Sequence, residues 1–540
     1  MRYRMTFFTL LLCPLLSFAA PLPKDPPKGM PQLVVQIKSI DEILGDTKHV
    51  LGKLPQDANV PSYDMVEQAG NMFLPGWREA IDAGKPLGGY VAVQNDVESS
   101  KPVLMVPVKE KDAFLEFMKF YFNDLAETED AGIHSGTTKF IFSTVKIHFR
   151  LANDYAYITF QGPAPLQDAT KLAKPGDLFL KDETALVALR LYLDGVPGET
   201  KKIVREFFDK IGDGGGLGWM ELLLMGLVGA TDPIDFGKRM RQFVDEAKWA
   251  SLRLDFDRKT DQMSLQFNVV PRADTPLGKE VAAFKPLQSQ MAGLLDGDTA
   301  AGMLLAHGNF GGLKLEEQIV DRLLSDALNM ADLDGDESRR KLLTRALVNS
   351  LKVNEADVAV ALKCDAGKET YTAVVAAKLN QPKLLSLAMI AYVAKLPKEK
   401  RDQFTLNAEK LEDGTQVHRL TLPNLNEPAN KVFGKHELFF YEKNDRFYAA
   451  LGGEAIKRLN ESTKLKPREG PQLLVQVDPS RLIPLIKATD NDDIARAWGK
   501  AFPKSRSFRP IEGRVTGGTT LRVSYSADFV DWMRLVFMGR

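Results

Sequence analysis

The chain has 540 residues, of which 44% are hydrophobic and 26% are charged, and its 71 basic side chains balance 71 acidic ones. This is the composition of a globular protein, and at ~150 residues per domain the length suggests three or four domain-sized masses. The neutral balance excludes the basic surface that nucleic-acid binding requires, and it also excludes a polybasic membrane patch.

Residues 1–19 have the pattern of a secretory signal peptide. A basic MRYR precedes the apolar run 5–16, and small residues lead to a cleavage site after Ala19. The run is too short to cross a bilayer as an anchor. We therefore expect an exported protein, periplasmic or extracellular, whose mature chain has no transmembrane helix. The alternative is a lipid on Cys13, which the large Leu12 before it disfavours.

Residues 20–30 are rich in proline and polar side chains, which predicts a flexible or polyproline spacer rather than a domain. Once the signal peptide is removed, Cys364 is the remaining cysteine, so the core must hold the mature chain together without an intramolecular disulfide. Cys364 lies in the strand-like stretch 358–364. We expect it to be a small packing residue rather than a nucleophile.

A strand followed by a capped helix opens the folded part of the chain. PQLVVQI at 31–37 suits a buried strand, and Ser39 with Glu42 forms a capping box for the helix after it. A second helical stretch follows at 62–84, and YVAV with PVLMVPV then predicts a hairpin. The closing helix carries one apolar stripe, formed by Phe114, Phe117, Met118 and Tyr121.

The same order of elements returns, beginning with the strand ALVALRLYL. Helical stretches follow it, and 251–256 with 263–270 form a second hairpin. Apolar residues alternate in its first arm with Ser251, Arg253 and Asp255. This alternation predicts an antiparallel sheet whose polar side chains point to solvent.

A third round begins at 302–308, and a fourth begins with PQLLVQV at 471–477. Asp478 before Pro479 marks the helix start that follows. PQLLVQV differs from PQLVVQI only by apolar exchanges. Either all four units share one ancestor, or the two phrases agree by coincidence in strands of common composition. The agreement in element order favours the shared ancestor.

The first and third units carry the same additional segment, at 146–172 and 437–465. Each segment is a hairpin that turns at Asn-Asp, followed by a helix ending in Thr-Lys-Leu. Long and short units therefore alternate, as in a tandem duplication. The predicted fold is α+β, with two homologous halves, each an antiparallel sheet packed by helices, built from strand-helix-hairpin-helix units repeated four times. The predicted modules are 31–292, with sub-units 31–173 and 182–292, and 298–540, with sub-units 298–465 and 470–540.

Three segments resemble ligand sites, and each has a plainer interpretation. The stretch 332–337 places carboxylates at alternate positions as a calcium loop does, but Leu343 stands where that loop needs a bidentate glutamate. The glycine-rich 212–218 lacks the preceding strand and following Lys-Ser of a phosphate loop, which favours a hinge. Residues 217–228 are apolar but too few to span a membrane. They favour a buried helix, with an apolar-ligand or membrane-surface role as the alternative.

The residue types that carry catalysis and metal binding form no recognisable constellation. Metal-ligand spacing is absent among the six histidines, His49, His134, His148, His307, His418 and His436. His148 is expected to face solvent beside Lys146 and Arg150. Ser143 and Lys146 match a Ser-x-x-Lys pattern, but in a strand-like segment rather than at a helix start. We predict no catalytic, cofactor-binding or metal-binding residue, and no cofactor.

The chain combines a signal peptide, a Pro-Lys spacer and segments such as PVLMVPVKEKDAFLEFM and NDYAYITF. In these features the chain resembles uncharacterised secreted proteins of planctomycete-type bacteria with duplicated α+β modules. The resemblance implies no reaction and no site residue.

The leading functional hypothesis is an exported, non-catalytic binding or scaffold protein of the cell envelope, because a large duplicated surface comes without a catalytic motif. One alternative is a carrier of an apolar ligand or lipid, suggested by residues 217–228 and the phenylalanine-rich helices. Another is an enzyme of unrecognised type, which needs a cleft of converging polar groups. The predicted partner is another envelope protein or an apolar ligand. The surfaces between units, above all near residues 290–300, are predicted to carry the function.

Overall fold

The computed structural model describes residues 31–538 except 55–60, 95–99, 141–142, 161, 203–204, 207–232, 285–287, 308–320, 323, 326–336, 352–355, 366–368, 423–426, 489–490 and 505–507. The chain divides into two compact units. Among the described residues, one contains 31–206, 233–284 and 516–533, and the other contains 288–515 and 534–538. The predicted signal peptide and spacer lie outside the described residues. The fold is mixed α and β and built on antiparallel sheet.

The first unit contains an antiparallel sheet to which both ends of the sequence contribute. Its strands are β1 (Leu33–Ile37), β2 (Leu87–Val91), β3 (Pro102–Pro107), β4 (Asn123–Glu127), β5 (Ile133–Phe140), β6 (Ser143–Ala152), β7 (Tyr155–Thr159), β8 (Val187–Tyr192), β9 (Ala247–Asp257), β10 (Gln262–Pro271) and β22 (Leu521–Asp528). Hydrogen-bonded neighbours follow the order β4-β5-β6-β7-β3-β2-β1-β8-β9-β10-β22. The predicted hairpins β2–β3 and β9–β10 are confirmed.

Helices accompany these strands of the first unit. They are α1 (Ile40–Lys53), α2 (Tyr63–Phe73), α3 (Trp77–Ala80), α4 (Lys111–Tyr121), α5 (Pro175–Leu178), α6 (Pro233–Glu246), α7 (Pro276–Ala283) and α15 (Phe529–Met538). The predicted N-cap at α1 is confirmed, since the Ser39 hydroxyl accepts from the Glu42 amide at 3.4 Å; the Glu42 carboxylate accepts from that hydroxyl at 3.0 Å, in place of the backbone amide of a capping box. In α4 the predicted stripe buries Phe114 and Met118.

The first unit buries side chains on both faces of its sheet. Val34, Met105 and Tyr157 belong to one apolar cluster, and Phe149 belongs with α4 to a second. The prediction that His148 faces solvent is therefore wrong, because its side chain is 8% exposed although it shares a strand face with the exposed Lys146.

The second unit contains a similar sheet and one additional two-stranded pairing. Its strands are β11 (Gln288–Ser289), β12 (Thr299–His307), β13 (Ala356–Cys364), β14 (Tyr371–Lys378), β15 (Phe404–Lys410), β16 (Gln416–Thr421), β17 (Glu437–Lys443), β18 (Arg446–Gly452), β19 (Arg468–Glu469), β20 (Leu473–Val477) and β21 (Phe508–Thr516). Neighbours follow the order β15-β16-β17-β18-β14-β13-β12-β20-β21, all antiparallel, and β11 pairs with β19.

In the described part of the second unit, seven further helices accompany these strands. They are α8 (Glu337–Leu351), α9 (Pro382–Ala394), α10 (Lys398–Arg401), α11 (Glu427–Phe433), α12 (Ala455–Thr463), α13 (Pro479–Ala488) and α14 (Asp492–Ala501). The helix predicted to end the segment 437–465 is present as α12. Its predicted counterpart in 146–172 is wrong, because two short 3-10 turns, at Ala164–Leu166 and Ala169–Lys171, stand there instead. Pro163 and Pro165 lack the amide hydrogens that a longer helix needs.

Candidate functional site

A group of polar side chains lies on one face of the first unit's sheet, and we call it the polar layer. Residues paired across antiparallel strands point to the same face, so the register shows which side chains share it. Arg190 of β8 is opposite Ser251 of β9, and Arg253 of β9 is opposite Gln266 of β10. The polar layer comprises Gln36, Arg190, Ser251, Arg253, Asp255, Ser264, Gln266, Asn268, Arg522, Ser524 and Ser526.

Most of the polar layer is withdrawn from water. Arg190 and Gln266 are each 2% exposed, Arg253 is 5% exposed, and Ser251 is 1% exposed. Leu252, between two of these on β9, is 37% exposed. The prediction of a solvent-facing polar side for this hairpin is therefore wrong. Alternation identified the side chains that share a face, but both faces are largely buried, since Phe256 and Leu265 on the apolar face are 4% and 3% exposed.

The residues 175–183 cover one end of the polar layer and bind it through backbone carbonyls. Arg190 donates from Nη1 to the Leu178 carbonyl at 3.0 Å and from Nη2 to Gln36 Oε1. Gln36 in turn exchanges two hydrogen bonds with the backbone of Leu180, at 3.0 and 2.9 Å. These contacts fix the Arg190 side chain but leave its charge without a carboxylate partner among the described contacts.

Arg253 has the ion pair that Arg190 lacks. Its Nη2 lies 2.5 Å from Glu183 Oε1, and both side chains are almost fully buried, at 6% and 5% exposure. A buried pair of this kind is strongly destabilised when one partner is lost, because the other charge remains without water. Glu183 therefore anchors residues 175–183 to the sheet.

The opposite end of the polar layer is only partly hydrogen-bonded. The Asn268 amide donates to Ser251 Oγ at 3.0 Å, and Arg522 Nε donates to Asn268 Oδ1 at 3.1 Å. Within the described structure, neither side-chain polar atom of Gln266 has a partner, and the same holds for Ser264 Oγ and Arg253 Nε. Buried polar atoms are normally paired, so these four atoms mark a place where a binding partner would gain hydrogen bonds.

The charge of the polar layer is positive. It holds three guanidinium groups, against which stand Glu183 and Asp255, the second of which accepts from Thr184 Oγ1 at 3.0 Å. Burial, and then the like charge of Arg253, lowers the pKa of Arg522. Arg522 is partly exposed, so this end of the layer is the end that solvent reaches. The arrangement is suited to bind an acidic group.

The second unit has a buried acid on its own sheet. Arg253 lies on β9 opposite Ala188 of β8, and Glu512 lies on β21 opposite Leu474 of β20. Glu512 is 6% exposed and accepts from Arg509 and Arg514, each at 2.5 Å. Its charge is therefore balanced within the unit.

The predicted ligand-like segments contribute nothing to this site. The calcium-like 332–337 lies outside the described residues except for Glu337, and 212–218 and 217–228 lie wholly outside them. Among the described residues no group of three His, Cys, Asp or Glu side chains is placed to hold a metal, and no helix is long and apolar enough to cross a membrane.

The serine, lysine and cysteine that the sequence singled out lie on strands of the two units. Ser143 and Lys146 lie on the strand β6, so the helix-start geometry of a Ser-x-x-Lys nucleophile is missing. Cys364 packs beside Leu362 and Tyr371, and burial raises the pKa of its thiol. The side chain of His307 lies outside the described part of the structure.

The polar layer was missed in the sequence, although a signal was present. Polar residues Ser264, Gln266 and Asn268 alternate on β10 with apolar ones, which matches the alternation on β9. Two adjacent strands with polar faces in register indicate a continuous polar surface. What the pattern lacked was the covering segment, which is distant in sequence.

Comparison with protein-family models, curated proteins and solved structures finds no match for the chain.

Proposed function

We propose that the chain is an exported, non-catalytic binding protein of the cell envelope, in which the polar layer of the first unit holds an acidic group of the partner. The observation that supports the proposal most directly is the buried, unpaired set of Gln266, Ser264 and Arg253 Nε beside Arg522. Pairing these groups would give a ligand hydrogen bonds that the protein alone leaves unmade.

The side chains of the polar layer support recognition rather than reaction. Arginine keeps its proton at all physiological pH values. The amide and hydroxyl groups of Gln, Asn and Ser form hydrogen bonds without gaining or losing a proton. The hydroxyl of Ser251 accepts from the Asn268 amide, and the described contacts give it no base to which it could donate its proton.

Export and envelope location are part of the same proposal and depend on residues 1–19. The test is to express the full chain in a bacterial host and sequence the N-terminus of the protein recovered from the periplasm or medium. The expected mature chain begins at Ala20. Retention in the cytoplasm with Met1 intact contradicts export, and a lipid-modified Cys13 supports the alternative anchoring.

A pull-down from the native envelope tests the binding function. The mature protein is immobilised, and captured proteins and lipids are scored together by mass spectrometry. The expected result is one partner that Arg522→Gln loses and that Arg509→Gln keeps. Turnover of any substrate class in broad activity profiling would instead support an enzyme, and equal capture by both variants would separate the function from the polar layer.

The predicted two-half architecture is also part of the proposal: a tandem duplication of modules 31–292 and 298–540, each with two sub-units. The agreement in strand order supports it, since β4-β5-β6-β7-β3-β2-β1-β8-β9 and β15-β16-β17-β18-β14-β13-β12-β20-β21 correspond member by member. Superposition of 31–292 on 298–536 tests it, and displaced strands would contradict it.

Two histidines support the same duplication. His134 is the cross-strand neighbour of Phe149, with ring centroids 5.1 Å apart, and His418 is the neighbour of Phe440 at 5.3 Å. Both pairs adjoin hairpins that turn at Asn-Asp, where Asn153 and Asn444 have φ of 50° and 57°. A shared His-Phe pair in matching strands is what a common ancestor would leave.

A second candidate function is a carrier of an apolar ligand or lipid, which an exposed apolar group on the first unit favours. Met72, Phe73 and Phe120 are 70%, 51% and 68% exposed, and the Tyr121 hydroxyl bonds the Phe73 carbonyl at 2.8 Å. Cosedimentation with lipid vesicles tests this candidate. Phe120→Ser should weaken it, whereas Leu387→Ser, at a 62% exposed position of the second unit, should not.

A further inference from the structure

We infer that the polar layer contains a binding site for a small oxyanion, carboxylate or phosphate, formed by Arg253, Gln266 and Arg522. This inference rests on the proposed binding function and specifies its ligand chemistry. Carboxylate and phosphate share the property that matters here, which is several oxygen acceptors on a compact negative group. The experiment below distinguishes between them.

The register brings the three side chains to one place. Gln266 on β10 is directly opposite Arg253 on β9, and Asn268, the next residue on that face of β10, is opposite Arg522 on β22. The two guanidinium groups therefore flank Gln266 from neighbouring strands. Paired residues lie ~5 Å apart and diagonal ones ~7–8 Å apart, a span that arginine side chains bridge.

Several donors at this place have no acceptor among the described residues. Arg253 uses Nη2 for Glu183 and leaves Nε unpaired, and Gln266 leaves both amide atoms unpaired among the described contacts. Arg522 uses only Nε, for Asn268. An oxyanion would accept from Arg253 Nε, the Gln266 amide nitrogen and the remaining Arg522 donors, and the Gln266 amide oxygen could accept from water or guanidinium.

Electrostatics favours an anion over a neutral ligand at the same place. Arg522 has no carboxylate partner in the described structure. Burial, and then the nearby positive charge of Arg253, lowers the pKa of Arg522. An anion between two guanidinium groups removes their repulsion and satisfies donors in a site of low dielectric, where charge-assisted hydrogen bonds are strong. The partly exposed Arg522 provides the side from which such a ligand can approach.

An arginine of the second unit that already has a carboxylate partner provides the control variant. There, Arg509 and Arg514 both donate to Glu512, so the chain itself supplies a carboxylate to these two arginines. We expect no oxyanion to bind at that place. Arg509→Gln removes the same charge from a strand of the same kind as Arg522→Gln, but leaves the first unit unchanged.

Isothermal titration of the mature protein with sodium acetate and with sodium phosphate tests the inference, at ionic strength held constant with sodium chloride. We expect one of the two anions to bind, with affinity reduced at least tenfold in Arg522→Gln and unchanged in Arg509→Gln. Preference for acetate identifies a carboxylate ligand, and preference for phosphate identifies a phosphate ligand. No binding of either by the wild type, or equal affinity in Arg522→Gln, overturns the inference.

Gln266→Leu gives a second readout that does not depend on charge. Without anion this variant should unfold at a temperature equal to or above that of the wild type, because it removes two unpaired buried polar atoms. It should also bind the anion at least tenfold more weakly. A lower unfolding temperature together with unchanged affinity would assign Gln266 to structure and overturn its role. If the wild type binds neither anion but still captures an envelope partner that Arg522→Gln loses, this inference is refuted while the proposed function remains intact.

Discussion

Glu183 supplies the counter-charge to the buried guanidinium group of Arg253. Both side chains are nearly fully buried, and the distance between Nη2 and Oε1 is 2.5 Å. Glu183→Gln keeps the shape but leaves Arg253 without a counter-charge. We expect it to lower the free energy of unfolding by about 3 kcal/mol, the cost of breaking a buried pair.

Urea denaturation measures this change, and Glu116→Gln is its control. Glu116 pairs with Lys119 on α4 at 2.6 Å, but the two side chains are 72% and 56% exposed. An exposed pair contributes about 0–1 kcal/mol, so this variant should remain close to the wild type. Equal stability of both variants would show that the Glu183–Arg253 pair is solvated and that residues 175–183 are held by other contacts.

His134 and His418 make a prediction about pH. Burial lowers the pKa of both rings below the ordinary value of 6.5, so the folded state disfavours the protonated form. As pH falls through 6.5, the unfolded state takes up protons first, and stability declines until pH passes the lower folded-state pKa. We expect the urea midpoint to fall between pH 7.5 and pH 5.

The double variant of His134→Phe and His418→Phe isolates this contribution. Phenylalanine preserves the ring contacts with Phe149 and Phe440 but cannot be protonated. The loss of stability on acidification should therefore be smaller in the double variant than in the wild type. If the two proteins lose stability equally over the same range, carboxylates rather than these histidines carry the acid sensitivity.

At the scale of elements, the contribution of a helix cap to the free energy of unfolding depends on how many side chains the capped helix buries. Ser39 caps α1, which buries Asp46 and Val50, whereas Ser62 caps α2, which has no buried residue. Ser39→Ala should lower the free energy of unfolding by about 1 kcal/mol, the usual cost of a lost N-cap. Ser62→Ala should affect only local opening of α2, because little tertiary packing depends on that helix.

Chemical denaturation combined with amide hydrogen exchange separates the two outcomes. Ser39→Ala should shift the denaturation midpoint, and Ser62→Ala should leave the midpoint unchanged while exchange in residues 63–73 becomes faster. A shift of the midpoint in both variants would mean that α2 is coupled to the core more closely than its exposed side chains indicate.

Caps, hairpins and the α4 stripe were predictable because each depends on residues close in sequence. Ser39 and Glu42 are three positions apart, and the Asn153-Asp154 turn joins adjacent strands, so local geometry decides them. The polar layer was not predictable in the same way. Alternation shows that Ser251 and Arg253 share a face, but whether water or protein covers that face depends on residues 175–183, far away in the chain.

At the scale of the whole chain, the first unit depends on a strand contributed from the far end of the sequence. β22 pairs with β10, from Gln262 opposite Asp528 to Val269 opposite Leu521. Leu521, Val523 and Val530 in the same returning stretch are 1%, 2% and 1% exposed. Each fully buried apolar side chain contributes roughly 1.5–3 kcal/mol, and whole domains are stable by only about 5–15 kcal/mol.

Truncation after Thr516 should therefore destabilise the first unit, although most of that unit precedes residue 285. Removal of β22 also leaves the hydrogen-bonding edge of β10 unpaired, which promotes association through strand edges. Limited proteolysis followed by mass spectrometry should show early cuts within 233–284, and light scattering should show aggregates. Truncation after Met538 is the control, since it retains β22 and should digest like the full chain. If the protein truncated after Thr516 resists protease within 233–284 as well as the control does, the returning strand is dispensable and the first unit is held by its N-terminal strands alone.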